Sequence, residues 1–316
     1  IFLSTGTYIV RNKIWRDSAS LILLAKQQSE TGSTTHNSGD YDVLLQTRTD
    51  KATFRNTAVF PGGVSEPADG SERWLSLFEL FGYSQQHFNA YNRPGTHYIV
   101  NFYRHISLRI TAIRETFEEL GVLICSCEHS GTKINKWNNS CSLRLHPVII
   151  LHISKHFALQ ISNNPENFLN LCKEYKCYPD IWALRYWSNW LTPTNFKKRF
   201  DTAFFITALE TKPVIEGNSE VTKTEWASPL DILKRSRDKE VKLPPPQAYE
   251  LSRLAALTDV HSVVDFAQNR RCCGDELQYP VIVHAKDGTI HLQPGNQLIL
   301  TCSNLHRYTF KKIFRL

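Results

Sequence analysis

The 316-residue chain has no methionine and begins at Ile1, so its translation start, and any N-terminal targeting peptide, is expected to lie outside this sequence. It also lacks any apolar run near the roughly 18 residues a membrane span needs; Leu21 to Ala25 and Val148 to Leu151 have the length of core strands. No membrane span is expected. The eight cysteines include Cys125-x-Cys127 and adjacent Cys272 and Cys273, but no paired C-x2-C units with the spacing of a structural zinc site. Scattered thiols in a chain of this size act as small hydrophobes in a reducing compartment. There is no H-E-x-x-H and no G-x-S-x-G, so zinc-peptidase and serine-elbow chemistry have no support.

What is present is a modest basic excess, 37 Lys plus Arg against 30 Asp plus Glu, or +7 at pH 7. Such a bias favours anionic partners, phosphorylated metabolites or nucleic acid. The basic residues fall in short runs (Lys197-Lys198-Arg199, Lys234-Arg235, Arg270-Arg271, Lys311-Lys312) rather than one stripe interleaved with aromatics. They read as solvated surface.

Hydrophobic patterning predicts an α/β fold. Ser18 to Lys26 and Tyr41 to Thr47 read as buried strands, Ala58 to Phe60 as a short strand stopped by Pro61-Gly62-Gly63, and Asp201 to Thr207 and Pro147 to Ile153 as further strands. Helices are expected at 71–81, 109–120, 165–175, 229–239 and, after a break at Pro244-Pro245-Pro246, at 247–257. Val122 to Ile124 resumes as strand. Val281 to His284 and Thr289 to Leu292 flank Asp287-Gly288, a hairpin signal. The organisation expected is one catalytic domain over 1–228 and C-terminal helices with a hairpin over 229–316, packed on the same domain.

The chemistry concentrates in Arg114-Glu115-Thr116-Phe117-Glu118-Glu119-Leu120-Gly121-Val122. At 100° per residue, Glu115, Glu118 and Glu119 share a helix face, where like charges cost roughly 0.2–0.5 kcal/mol per pair. Folding alone does not select such a cluster. Convergent hard oxygens suit magnesium or manganese, which bridge to a diphosphate and acidify an attacking water. Arg114 has two readings, pairing with Glu118 one turn on or reaching a phosphate. Among outlying candidates, Arg48 and Arg199 suit phosphates through forked hydrogen bonds. Glu225 is a candidate base on a distant loop, and Trp182, Trp187 and Trp190 are candidate adenine-stacking rings, with core packing as the competing role for the tryptophans.

Read as G-x5-E-x7-R-E-U-x-E-E-x-G-U, where U is aliphatic, these residues resemble the Nudix box: Gly63, Asp69, Arg114, Glu115, Thr116, Glu118, Glu119, Gly121 and Val122. The sequence departs from the pattern at three places. Asp69 stands for a Glu, Thr116 for an aliphatic residue, and 70–113 replace the usual seven residues. Asp keeps the carboxylate with one methylene less, so it either orders the loop or caps the insertion helix. Such an interruption is similar to that of the Nudix subgroup of animal peroxisomal coenzyme A diphosphatases. Phe168 to Cys172, Pro179 to Leu184, Trp187 to Pro193, Arg199 to Phe205 and Trp226 to Pro229 share that likeness. The resemblance implies an α/β/α sandwich with a mixed sheet, an inserted helical element and a helical C-terminal part. It implies Glu115, Glu118 and Glu119 as ligands of Mg2+ or Mn2+, and a site at the Gly62-Gly63 turn and the box helix; the position of 70–113 between the two predicts a flap or subdomain over that site. It implies hydrolysis of coenzyme A or its acyl esters to 3',5'-ADP and (acyl-)4'-phosphopantetheine in peroxisomes; mitochondrial or cytosolic location is the alternative. Phe314-Arg315-Leu316 partly matches an S-K-L address. The rival activities are hydrolysis of RNA caps or other nucleotide conjugates, and a Nudix-fold module that binds without turnover.

Overall fold

The computed structural model describes residues 15–27, 39–49, 56–89, 102–129, 155–213, 215, 221–269, 277–284 and 289–294. Its organising element is β1 (Arg16–Lys26), which pairs in parallel along its length with β8 (Phe200–Leu209). The opposite edge of β1 is divided. Leu24 to Lys26 pair antiparallel with β2 (Tyr41–Arg48), whereas Ser18 to Ser20 pair antiparallel with the short β4 (Gly62–Val64). The main path runs β10 (Leu277–Gln278), β7 (Arg185–Leu191), β8, β1, β2, β3 (Ala58–Val59), and β9 (Val221–Ala227) also pairs with β2. Parallel β1/β8 and β10/β7 ladders beside antiparallel ones make the sheet mixed.

Strand alternation sends Ala19, Leu21, Leu23 and Ala25 to one core and Ile22 and Leu24 to another. The first face is covered by α3 (Phe102–Leu120), α1 (Arg73–Leu80), α4 (Lys155–Asn163) and α5 (Asn167–Glu174). The second is covered by α6 (Pro229–Arg237), α7 (Pro245–Ala255) and α8 (Val260–Asn269), through Ile232, Leu251, Leu254, Val260 and Val263. This is an α/β/α sandwich, as the box resemblance implies. The C-terminal helices form its second outer layer.

The described part of the insertion packs into the first core instead of standing as a flap. Besides α1 and α2 (Gln85–Asn89), it supplies the first turns of α3, which starts at Phe102 rather than Arg109. Trp74, Leu77 and Phe78 are buried in the first core, and Trp182 stacks on Tyr83 at 4.0 Å and 16°. Arg104, on the inserted part of α3, reaches Asp17 at 2.9 Å and Asp201 at 3.0 Å on the paired strands β1 and β8. The element is wedged under the sheet because its apolar side chains bury there.

Smaller departures have local causes. Val122 to Ile124 carry no ladder; pairing begins at β5 (Cys125–Ser126) with β6 (Tyr178–Pro179). The triple proline starts α7 instead of breaking a helix, with Pro244 as cap, because the first helical positions need no N–H partner. β11 (Val281–His284) and β12 (Thr289–Leu292) pair as expected; the Asp287-Gly288 turn and the strand expected at 147–153 lie outside the described residues.

Candidate active site

The site grows from the divided edge of β1. β4 reaches β1 closely only because Gly62 has no side chain: a Cβ there would stand 2.3 Å from the Ala19 carbonyl oxygen, and its φ of +149° is rare outside glycine. Gly63 serves a second purpose. Its missing Cβ would lie 2.3 Å from Cδ of Glu115, so the carboxylate occupies the space a side chain would fill.

Glu119 ties the two arms of the fork together. Its Oε2 accepts from Gln46 Nε2 on β2 at 2.6 Å and from the Gly62 backbone N–H on β4 at 3.0 Å. Gln46 shares the α3-facing side of β2 with Leu44, which is why it reaches the helix. Nothing in the glutamate spacing reveals Gln46.

Arg114 is buried and serves carboxylates on three sides. Nε and Nη2 donate to the two oxygens of Asp69 at 2.8 and 2.9 Å, Nη2 to the Val64 carbonyl at 3.0 Å, and Nη1 to Glu118 at 2.6 Å, with Glu115 3.0 Å away. Of the two sequence readings, pairing with Glu118 holds; Arg114 does not line the cavity and is a positioning residue. Asp69 is 1% exposed and also accepts from Thr111 and from the Glu66 N–H, closing the 3-10 turn Pro67–Gly70. It orders the loop rather than capping the insertion helix. Thr116 donates to the Ala112 carbonyl within α3, off the carboxylate face.

The three glutamates therefore do not converge as the helix face suggested. Glu115 and Glu119 line a cavity of about 730 Å³, while Glu118 is turned to Arg114. Among the described residues no three carboxylate, histidine or cysteine side chains are grouped closely enough to hold a metal ion. The charge inventory explains the arrangement: Asp69, Glu115 and Glu118 surround one guanidinium, with Glu118 and Asp69 taking its shortest bonds, while Glu119 is held by Gln46 and the Gly62 N–H. Burial, opposed by Arg114 and reinforced by Glu119 and Glu118, pushes the Glu115 carboxyl up to about 8. A proton on Glu115 thus offsets part of the excess charge. Hard carboxylate oxygens in negative excess are the donors a divalent cation of the magnesium class takes, and Glu118 would have to turn from Arg114 to complete such a set.

Away from the carboxylates, the cavity floor changes character along one face of the sheet. The residues of β1 on the second-core face run Leu24, Ile22, Ser20, Ser18, Arg16, and those of β8 run Ala208, Ile206, Phe204, Thr202, Phe200. Where the apolar series gives way to Ser18, Ser20 and Thr202, the core opens into the cavity. Ser20 donates to the Pro61 carbonyl, and Ser18 and Thr202 share a hydrogen at 2.6 Å.

Arg48 and Arg199 both line this cavity. Arg48 sits at a register shift between β2 and β9, and its Nε is buried without a hydrogen-bond partner among the described residues. Arg199 is buried, donates through Nε to the Thr192 carbonyl at 2.8 Å, and lies over Trp15. The structure separates Glu225 from this group. It lies on β9 rather than a loop, it does not line the cavity, and Arg235 grips both its oxygens at 3.1 Å while Lys223 adds a third contact. Those partners outweigh partial burial and hold its carboxyl below the usual range, which is wrong for a base that must take up a proton.

The tryptophans likewise have protein partners. Trp187 and Trp190 donate their indole N–H groups to the fully buried Glu250 of α7 at 2.7 and 2.8 Å, joined by Ser188 at 2.7 Å and Arg253 at 3.0 Å. Trp182 belongs to the aromatic cluster of the insertion; Trp190 alone of the three also reaches the cavity.

Comparison with known proteins gives the family and the fold. The model of the NUDT19 Nudix domain matches residues 15–254. The chain is similar to the acyl-coenzyme A diphosphatase NUDT19 of Xenopus laevis, 34% identical over 90% of this chain and 81% of that protein. It is similar also to the same-named protein of Homo sapiens, 34% identical over 92% and 82%. In fold, a NUDIX hydrolase from Alicyclobacillus acidocaldarius aligns with a TM-score of 0.57 at 19% identity, covering 79% of this chain and 96% of that one. With a box helix packed on a glycine fork and a family match across most of its length, the chain belongs to the NUDT19 Nudix family and is a Nudix enzyme.

Proposed function

We propose that the enzyme hydrolyses the diphosphate bond of coenzyme A and its acyl esters, giving 3',5'-ADP and (acyl-)4'-phosphopantetheine. One P–O bond forms from water, the bridging P–O bond breaks, and the water's protons pass to the products and solvent. The observation that carries this reading is the cavity itself: Glu115 and Glu119 stand at its Gly62-Gly63 end, and Arg16, Arg48, Lys197, Lys198 and Arg199 make the rest of its lining basic. The relatives' name, acyl-coenzyme A diphosphatase, supports the substrate. Glu115 and Glu119, with Glu118 on the same helix, would hold Mg2+ or Mn2+, which supplies charge neutralisation and an acidified water. Gln46 and the Gly62 N–H hold Glu119 in place, Arg114 and Asp69 hold the loop to the helix, and Arg48 and Arg199 add positive charge to the cavity that the substrate would enter.

A panel of coenzyme A, an acyl ester, a dinucleotide and capped RNA, each with Mg2+ or Mn2+ and product masses recorded, tests this reading. Coenzyme A and its ester are expected to yield the two stated products; preferential cleavage of capped RNA, or no turnover at all, contradicts it. Peroxisomal location belongs to the same proposal. A full-length protein tagged away from the C-terminus should colocalise with a peroxisomal marker, and a diffuse signal would refute that part.

A further inference from the structure

The run Lys197-Lys198-Arg199 reads from sequence as solvated surface, yet all three residues line the cavity that holds Glu115 and Glu119. They lie on the connection between β7 and β8, which is firmly built. The Thr192 N–H donates to the Phe200 carbonyl at 2.9 Å, the Phe200 N–H to Thr192 Oγ1 at 3.0 Å, and Arg199 Nε to the Thr192 carbonyl at 2.8 Å. Arg199 is thereby occupied in closing the loop. Lys197 and Lys198 remain exposed, with no carboxylate in salt-bridge range among the described residues.

Strand register sets their distance from the carboxylates. Gly63 faces Ala19, Phe200 faces Arg16, and the three-residue step is ~10 Å along β1 at about 3.3 Å per residue. A further offset of two strand spacings, from β4 across β1 to β8, is again ~10 Å. The cavity is therefore polarised, with acidic groups at one end and, at the other, Arg16, Lys197, Lys198 and Arg199 against the single carboxylate Glu66. Buried Gln247, on its wall, has an Oε1 with no hydrogen-bond partner among the described residues, so the wall also offers a ligand an acceptor.

Resting on the proposed coenzyme A activity, we infer that Lys197 and Lys198 bind the 3'-phosphate of the substrate's adenosine half and set the preference for coenzyme A over conjugates lacking it. The diphosphate requires the acidic, cation-holding end. A second phosphate carried on the ribose needs its own cations at a separate place, and this loop supplies them without partners that must first be displaced. Lysine serves as a point charge for such a phosphomonoester.

The test compares coenzyme A with 3'-dephospho-coenzyme A in the wild type and in a Lys197→Ala/Lys198→Ala double variant, whose changes are on exposed side chains. The wild type should favour coenzyme A by roughly tenfold or more in kcat/KM, the scale of one to two charge-assisted contacts. In the variant that ratio should collapse toward one through a raised KM for coenzyme A, with kcat retained. A ratio unchanged by the substitutions overturns the inference.

Calorimetric binding of 3',5'-ADP against 5'-AMP, which differ only in the 3'-phosphate, separates this claim from the activity. Tighter binding of 3',5'-ADP by wild type alone supports the subsite even if turnover fails, whereas equal affinities sink it. Failure of wild type to cleave either conjugate would count against the proposed function and leave the binding comparison to decide the subsite.

Discussion

Asp69 shows how one side chain joins distant parts of the chain. It is one methylene shorter than the glutamate of the box pattern, but its two oxygens accept from Nε and Nη2 of Arg114, 45 positions later in the sequence, at 2.8 and 2.9 Å. Removing it as Asp69→Ala leaves a buried guanidinium short of its main partner, so denaturant unfolding should show a loss of about 3–5 kcal/mol. A loss below 1 kcal/mol would mean the pair is dispensable. Glu115 makes a different kind of prediction. Its carboxyl is raised from 4.5 to about 8, so between those values the folded chain binds a proton that the unfolded chain does not. Stability of the cation-free protein must then fall as pH rises through that window. Glu115→Gln should flatten the slope, and added Mg2+ should restore wild-type stability at the alkaline end by replacing the proton. A wild-type melting temperature that does not fall between pH 4.5 and 8 relative to Glu115→Gln contradicts the assignment. The box glutamates were legible because helical spacing is local. The Arg114–Glu118 pair was legible for the same reason, one turn apart on the helix, but Asp69 and Gln46 as partners of Arg114 and Glu119 were not, since they come from distant segments.

At the level of elements, the two glycines of the fork should behave differently despite being adjacent. Gly62→Ala drives a Cβ into the Ala19 backbone at 2.3 Å and forces alanine into φ +149°, which costs roughly 1–3 kcal/mol in backbone conformation alone. Gly63→Ala meets only the end of the Glu115 side chain, which can move. The first should lower stability. The second should fold nearly normally and lose at least tenfold in turnover, an amount equal to about 1.4 kcal/mol of barrier; wild-type turnover in Gly63→Ala would contradict the close packing. The insertion makes the opposite point. The position of 70–113 between the glycine turn and the box helix predicts a flap or subdomain over the site. With Trp74, Leu77 and Phe78 in the first core, Trp74→Ala should cost about 3–5 kcal/mol, measured by denaturant unfolding, and the full deletion should fail to fold. β7 and β9 escaped sequence reading for a related reason. The tryptophans of β7 looked like ligand platforms, and the polar VTKTEWA of β9 has little apolar face to mark a strand. Their identity comes from partners across the sheet, which no local window contains.

Across the whole molecule, the sandwich is complete only with both outer layers. The fold class was legible because long apolar strands alternating with helices have few solutions. The position of the C-terminal helices was not, because their anchor is the Glu250 cluster with Trp187, Ser188, Trp190 and Arg253, assembled from two separated segments. The same layer walls the cavity through Pro244 to Gln247, so support and site are one structure. On the proposed function, the chemistry occurs where α3 meets the glycine fork. The most direct test is coenzyme A turnover with Mg2+ or Mn2+ in wild type and Glu119→Gln, with thermal unfolding of both as the control. The account predicts 3',5'-ADP and 4'-phosphopantetheine from wild type, a rate reduced by roughly 100-fold or more in the variant, and a folded variant. Near-normal turnover in a well-folded Glu119→Gln protein would contradict it.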